Sequence, residues 1–389
     1  MKKLITLLLL IGLCVGLLVY NFNLAASQDD GRPPATQLTQ QTEPTQPIVG
    51  QVRIANSDPD MQTAWETLAR DYTSRTGISV SVVSGQDETA TLFTIRSQEE
   101  LAAVQDQCLD LSGTGAHAQL ASWDLTLKAD GKVCGIAAEI EGFGLMYNSA
   151  LLGRIATPQE ITGLSALKNV AEAITADADL DFAAFACPDL DGSFLSRMVS
   201  MGVNCREFWQ VYAANSACLP GTLNQTDTED SLLEFVDGKA VFCLGSTAEY
   251  DRVSILGDHN LGIMPLYLGG ENEQRQGLCV TCSSYWCVRG DGEPADVQAT
   301  LDFLNDLVHP RADGTVPVDD LQIVAPYRQA TFASNPLERT LRTDLAAGKE
   351  YVVCTPMEKI PEGLTAALTT YAIEPTDENW AAVAAILGE

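Results

Sequence analysis

The sequence predicts an α/β protein built as two lobes. Three observations carry this expectation. Strand-like and helix-like patterns alternate along the chain, with no repeat of fixed period. The part after residue 50 is roughly twice the usual domain length. A long apolar run, Ala138 to Leu152, is broken near its start by Glu139 and Glu141 and turns at Asn148. It reads as strand, polar break, apolar strand, then new structure. An acidic residue at such a break lies where two lobes meet.

The elements follow in order. Val52–Ala55 is a short strand, and Asn56–Pro59 a turn. Met61, Ala64, Trp65, Leu68, Ala69 and Tyr72 then recur at helical spacing until Gly77 stops them. Ile78, Val80 and Val82 alternate as the next strand, completing a βαβ unit suited to a parallel sheet. The chain passes directly from Gly85 to a strand at Thr91–Thr94. Further on, Thr157–Glu160 is a capping box with proline at the first helical position, ahead of Ile161, Leu164, Leu167 and Val170. Asp237–Gly245 reads as turn, strand, glycine. Pro294 opens a helix with Val297, Leu301, Leu304 and Val308 on one face, ended by His309 and Pro310.

The first 27 residues read as a targeting segment. Lys2 and Lys3 precede an apolar run from Leu4 to Tyr20, and Ala25, Ala26 and Ser27 offer a cleavage site. The run is also about long enough to span a bilayer, so signal peptide and uncleaved membrane anchor both stand. Leu13 before Cys14 is bulky where a lipobox needs a small residue. The lysines keep the N-terminus inside and export the rest. Residues 28–49, rich in Gln, Thr and Pro, form a disordered tether, which favours retention at the membrane. Localisation is therefore extracytoplasmic, secreted or tethered.

Acidic residues outnumber basic ones 52 to 23. So negative a surface repels phosphate backbones and excludes nucleic acid as a partner. Ten cysteines follow the leader. An exported chain with an even count suits a disulfide framework, but several sit in apolar runs where a thiol acts as a small hydrophobe. Both readings stay open. Cys279, Cys282 and Cys287 mimic a zinc site, yet no histidine is near and no second CxxC exists, so no metal or other cofactor is expected. Asp189–Gly192 lacks the spaced ligands of a calcium loop and reads as a turn into a helix with Phe194 and Met198. His117, His259 and His309 are the only histidines, and no Gly-x-Ser-x-Gly elbow or phosphate cradle occurs. Catalysis is not expected.

Several segments resemble, in order, the extracellular solute-binding proteins of ABC importers, family 1, the maltose-binding or carbohydrate type. Trp65–Val83 is similar to that family's first helix and second strand, and Cys108–Ser112 to its next element. Ala138–Leu152 resembles the inter-lobe crossover, and Phe235–Phe242 the entry to a "G-x-W" ligand loop. Leu261–Tyr267, Gln276–Cys279 and Tyr285–Val288 resemble the return to the first lobe. The resemblance implies a periplasmic-binding-protein-like (type II) clamshell. Lobe 1 would combine 50–140 with 266–323, and lobe 2 141–264 with 325–389. Crossings would fall at Glu139–Gly142, Met264–Leu266 and Ile323–Pro326. It further implies a small solute, a sugar or oligosaccharide, held between the lobes and delivered to ABC permease transmembrane subunits. Two departures weaken the carbohydrate reading. The family inserts a helix after the position of Gly85, and here the "G-x-W" loop reads Gly245-Ser246-Thr247. The alternative is a degenerate envelope protein acting in sensing or interaction.

A sugar site needs flat aromatic faces and carboxylates or amides for hydroxyls. By the resemblance, Glu141 is the leading polar contact. Glu139, two residues away on an extended segment, faces the same side. Tyr285 and Trp286 point to opposite sides of a strand, so at most one faces the cleft. Asp58 and Asp60 flank Pro59 as default N-cap residues, at a helix start that this fold directs to the cleft. Tyr250 is a replacement for the lost aromatic, Thr247 offers only a hydroxyl, and Trp123 is a candidate for the cleft rim.

Overall fold

The computed structural model describes residues 50–388, apart from 189, 191–194, 196, 198–204, 224, 226, 271, 351 and 355–359. The leader, the tether and most of the Asp189–Met198 turn and helix lie outside the described residues. Among the described residues, no helix is long and apolar enough to cross a membrane.

The opening βαβ unit forms as its periodicity requires. Strand β1 (Gln51–Asn56) pairs in parallel with β2 (Ser79–Ser84), and helix α1 (Gln62–Thr76) connects them. Gly77 ends α1 in a left-handed conformation that few other residues adopt cheaply. The apolar face of α1, with Trp65, Leu68 and Tyr72, covers β1 and β3 (Leu92–Ile95), joined by Phe303 and Leu304 of α3 (Pro294–Val308). This is the first core.

The run around residue 140 departs from expectation. It contains no break: Lys132–Asn148 is one strand, β5. Glu139 falls instead at register shifts between Ala137 and Ile140, where β5 meets β9 (Cys279–Val288), and Glu141 pairs regularly just beyond them. A local irregularity bends the strand and keeps its ladder running. The full sheet order is β2-β1-β3-β9-β5-β7-β6, with β4 (Thr126–Ala129) and β8 (Leu261–Met264) also paired to β5. Strand β6 is Ala183–Phe185 and β7 is Ala240–Ser246.

The two long strands thread two separate apolar cores. Val133, Ile136 and Ala138 of β5, with Trp286 and Val288 of β9, belong to the first. Phe143 and Leu145 of β5, with Cys279 of β9, belong to the second, which also holds Phe185, Trp209, Tyr212 and Tyr371. Leu266 and Tyr267 still pack in this second core, and the Tyr267 hydroxyl donates to Ile161 O (3.0 Å). The chain thus returns to the first core within β9, later than the Met264–Leu266 expected from the resemblance. Between the cores lies a third cluster: Ile140, Val280, Cys282 and Val324 under Leu337 and Leu341 of α4 (Pro336–Ala346).

The expected helix after Thr157 also shifts. The Glu160 carboxylate does accept from Thr157 N–H (2.6 Å), but it closes only a single 3-10 turn, Pro158–Glu160. Helix α2 (Leu164–Ala176) starts afresh after Gly163, and Glu273 from a distant loop accepts Leu164 N–H (3.0 Å). A long-range cap replaces the local one.

Close approach at the crossing fixes glycine at position 144, because a side-chain carbon there would overlap the Met264 carbonyl. Gly144→Ala is expected to destabilise the protein by about 1–3 kcal/mol, read as a lower urea midpoint at unchanged m-value.

Candidate functional site

The crossing of β5 is where side chains of opposite chemistry meet. Glu141 stands directly across the ladder from Thr281. Its Oε1 accepts from Ser283 Oγ (3.3 Å), and its Oε2 lies 3.7 Å from Nη2 of Arg197. The Arg197 side chain is nearly buried, at 8% exposed, with its guanidinium 4.6 Å from the Phe143 ring centroid. Glu141 itself stays 34% exposed. A carboxylate so held keeps a fixed direction while still open to an incoming donor.

Glu139 is half-buried beside it. Burial pushes its carboxyl pKa up, and the nearby Glu141, Asp58 and Glu338 carboxylates push it further, opposed by Arg96. Asp58 thus shares this neighbourhood, although its Oδ1 also caps the first turn by accepting Asp60 N–H (2.9 Å). Asp60 is exposed. Glu338 opens α4, where its carboxylate accepts from Ser334 N–H (2.6 Å).

The other expected contacts have structural duties. Trp286 is only 3% exposed, edge-on to Trp65 (6.1 Å) and stacked on Tyr327 (6.0 Å), so it packs the first core and presents no face to a ligand. Tyr285 is half-buried against residues of the third cluster and beside Cys287. Thr247 is buried, and its hydroxyl accepts Gly142 N–H (3.1 Å), bracing the crossing from the end of β7. Tyr250 donates its hydroxyl to Asp258 (2.7 Å) at the surface. Trp123 is 66% exposed and stacks on His117 (6.0 Å) in a loop tied to the Ile323–Pro326 segment by Ala121 N–H to Pro326 O (2.8 Å).

Arg197 and Ser283 went unnoticed in the sequence. A lone arginine among the apolar Phe194, Leu195, Met198 and Val199 was the available signal for the first. Ser283 had none, since only the register of β9 on β5 places it at Glu141. Cys279, Cys282 and Cys287 fall in three different clusters and do not converge on a metal. His309 is spent on Asn305 O (2.8 Å) and Gln119 (3.1 Å).

The family model for bacterial extracellular solute-binding protein matches residues 51–313. The chain belongs to this family. No curated protein matches it. Among solved structures, this solute-binding protein is similar to a family 1 extracellular solute-binding protein from Bifidobacterium longum subsp. infantis. Identity is 13%, covering 87% of this chain and 98% of that one, with TM-score 0.62. It is also similar to the bacterial solute receptor AcbH, at 14% identity, 87% and 98% coverage and TM-score 0.61. The sugar-binding protein MalE from the phytopathogen Xanthomonas citri is similar at 15% identity, 87% and 97% coverage and TM-score 0.57. At such identities the likeness concerns the fold, which is the two-lobed one of these proteins. Binding, with no bond made or broken, is the activity of this family.

The elevated Glu139 pKa has a stability consequence. The folded state binds the Glu139 proton more tightly than the unfolded chain, so stability is lost as pH rises through the carboxylate range. Glu139→Gln removes that loss, and partial exposure keeps the gain small. The variant is expected to melt about 2 °C higher at neutral pH and to converge with the parent below about pH 4. Thermal melts across that pH range check both arms.

Proposed function

We propose that this protein captures a small polyhydroxylated solute, a sugar or short oligosaccharide, between its two cores. It then delivers the solute to the transmembrane subunits of an ABC importer. The observation that carries this reading is the half-exposed Glu141, aimed by Ser283 and Arg197 at the junction of the cores. A carboxylate can accept from two sugar hydroxyls at once. AcbH, of the same fold, is described as having an exclusive preference for β-D-galactopyranose, and MalE as sugar-binding. In the proposed cycle the crossings at β5, β9 and Ile323–Pro326 act as a hinge, and solute favours closure through contacts made only in the closed state. Glu139 and Asp58 would add further carboxylate acceptors beside it. An N-terminal segment would hold the receptor at the membrane.

A second reading has its own support. The burial of Trp286 and the use of Thr247 as a brace leave Glu141 without an aromatic partner among the residues named for it. That favours a monosaccharide-sized ligand within the first reading, or a family member turned to sensing without transport.

Thermal shift against a panel of sugars, amino acids and peptides separates the two. A bound solute at a hundred times its Kd adds about 2.7 kcal/mol to stability, whereas silence across the panel supports the sensing role. With a ligand in hand, Glu141→Gln is expected to weaken binding by about tenfold or more in calorimetry. Unchanged affinity would remove Glu141 from the site.

A further inference from the structure

The ten cysteines of the described residues are not scattered evenly through the fold. Six of them meet in three pairs, each brought together by backbone pairing between segments far apart in sequence. Cys108 bridges antiparallel to Arg289, beside Leu109 N–H donating to Val288 O (2.8 Å), and Cys287 lies two residues before Arg289. Both pack in one cluster with Ile95 and Leu101. Phe185 pairs in parallel with Ser216, and the same register two residues on sets Cys187 beside Cys218. Cys354 N–H donates to Val280 O (2.7 Å), which places its side chain by Cys279 in the second core. Within each pair the two thiols lie near enough to shift one another's titration.

We infer that Cys108–Cys287, Cys187–Cys218 and Cys279–Cys354 close as three disulfides when this extracellular chain meets an external disulfide oxidant. Each closure is two exchanges. One thiolate attacks the oxidant disulfide and releases the first oxidant thiolate, and the second cysteine, losing its proton, attacks the mixed disulfide and releases the other. Two protein thiols are oxidised and one external disulfide is reduced. Cys218 is the natural starting point. It is the half-exposed member of the set, and the neighbouring Cys187 thiol lowers its pKa, which favours the attacking thiolate.

None of the three links joins the two cores. Cys108 and Cys287 sit on the first-core side, while Cys279 and Cys354 belong to the second. Cys187 follows β6 and Cys218 packs against the second core. Oxidation therefore ties each end of β9 to its own half and places no link across the junction.

The test is a peptide map of the whole chain. Protein equilibrated with oxidised and reduced glutathione is denatured, alkylated without reduction, digested and read by mass spectrometry. Linked peptides joining 108 to 287, 187 to 218 and 279 to 354 are expected, with Cys134, Cys205, Cys243 and Cys282 alkylated. The oxidised protein should melt at a higher temperature than the reduced one. Alkylation of all six paired positions overturns the inference, and so does a link from Cys134 to Cys108 or Cys287. A Cys279→Ser, Cys354→Ser double variant should lose only its own link, and loss of the other two with it would overturn their independence. The readout needs no solute, so its failure is distinct from failure of the transport reading.

Discussion

The ladder between β5 and β9 is the constraint on which the rest depends. Both strands run unbroken from one core to the other, so the two halves share backbone hydrogen bonds as well as side-chain contacts. Any relative movement must be absorbed by twist in this ribbon. The register shifts at Ala137–Ile140 mark where the ladder already departs from regular pairing, and irregular pairing tolerates twist at lower cost than a regular ladder. A third segment is bound to the same place: Ile140 N–H donates to Val324 O (3.0 Å), and Tyr327 donates to Ala137 O (2.8 Å). Arg342 of α4 in turn holds Ala325 O (2.8 Å).

That geometry dictates what the crossing residues can be. Gly142 and Gly144 are set by close approach, the first against Leu278, Leu341 and Thr247, the second against the Met264 carbonyl. Where backbones come so near, an unpaired N–H is costly, and Thr247 supplies the acceptor for Gly142. The threonine is thus tied to the fold at the position where the family resemblance anticipated a ligand-stacking aromatic. What remains for a ligand at this point is charge and hydrogen bonding. Glu141 is balanced by Arg197, while Glu139 meets mainly other carboxylates. Two acids one strand step apart therefore sit in opposite electrostatic settings.

Much of the fold was legible in the sequence, for identifiable reasons. The β1–α1–β2 unit, β7 and α3 are local, and their apolar periods, Gly77 and Pro294 act within a few residues. The continuity of β5 was not legible, because two glutamates in an apolar run look like an interruption unless a neighbouring strand covers them. The start of α2 depends on Glu273, more than a hundred residues away, so the local capping box misled. Trp286 illustrates the same limit for the site: alternation fixed that it opposes Tyr285 but left open which face Trp65 and Tyr327 would claim. Arg197 reached Glu141 only through tertiary packing.

The cysteine pairs and the crossing strands complete one mechanical picture. A binding protein that works by movement between halves needs each half rigid and the junction compliant. Cross-links within a half restrict the unfolded chain and add stability, whereas a cross-link across the junction would fix its angle. Here backbone pairing brings thiols together inside each half, while the residues that join the halves are glycines, a braced threonine and buried aliphatics of the third cluster. Rigidity and compliance are thus assigned largely to different residues.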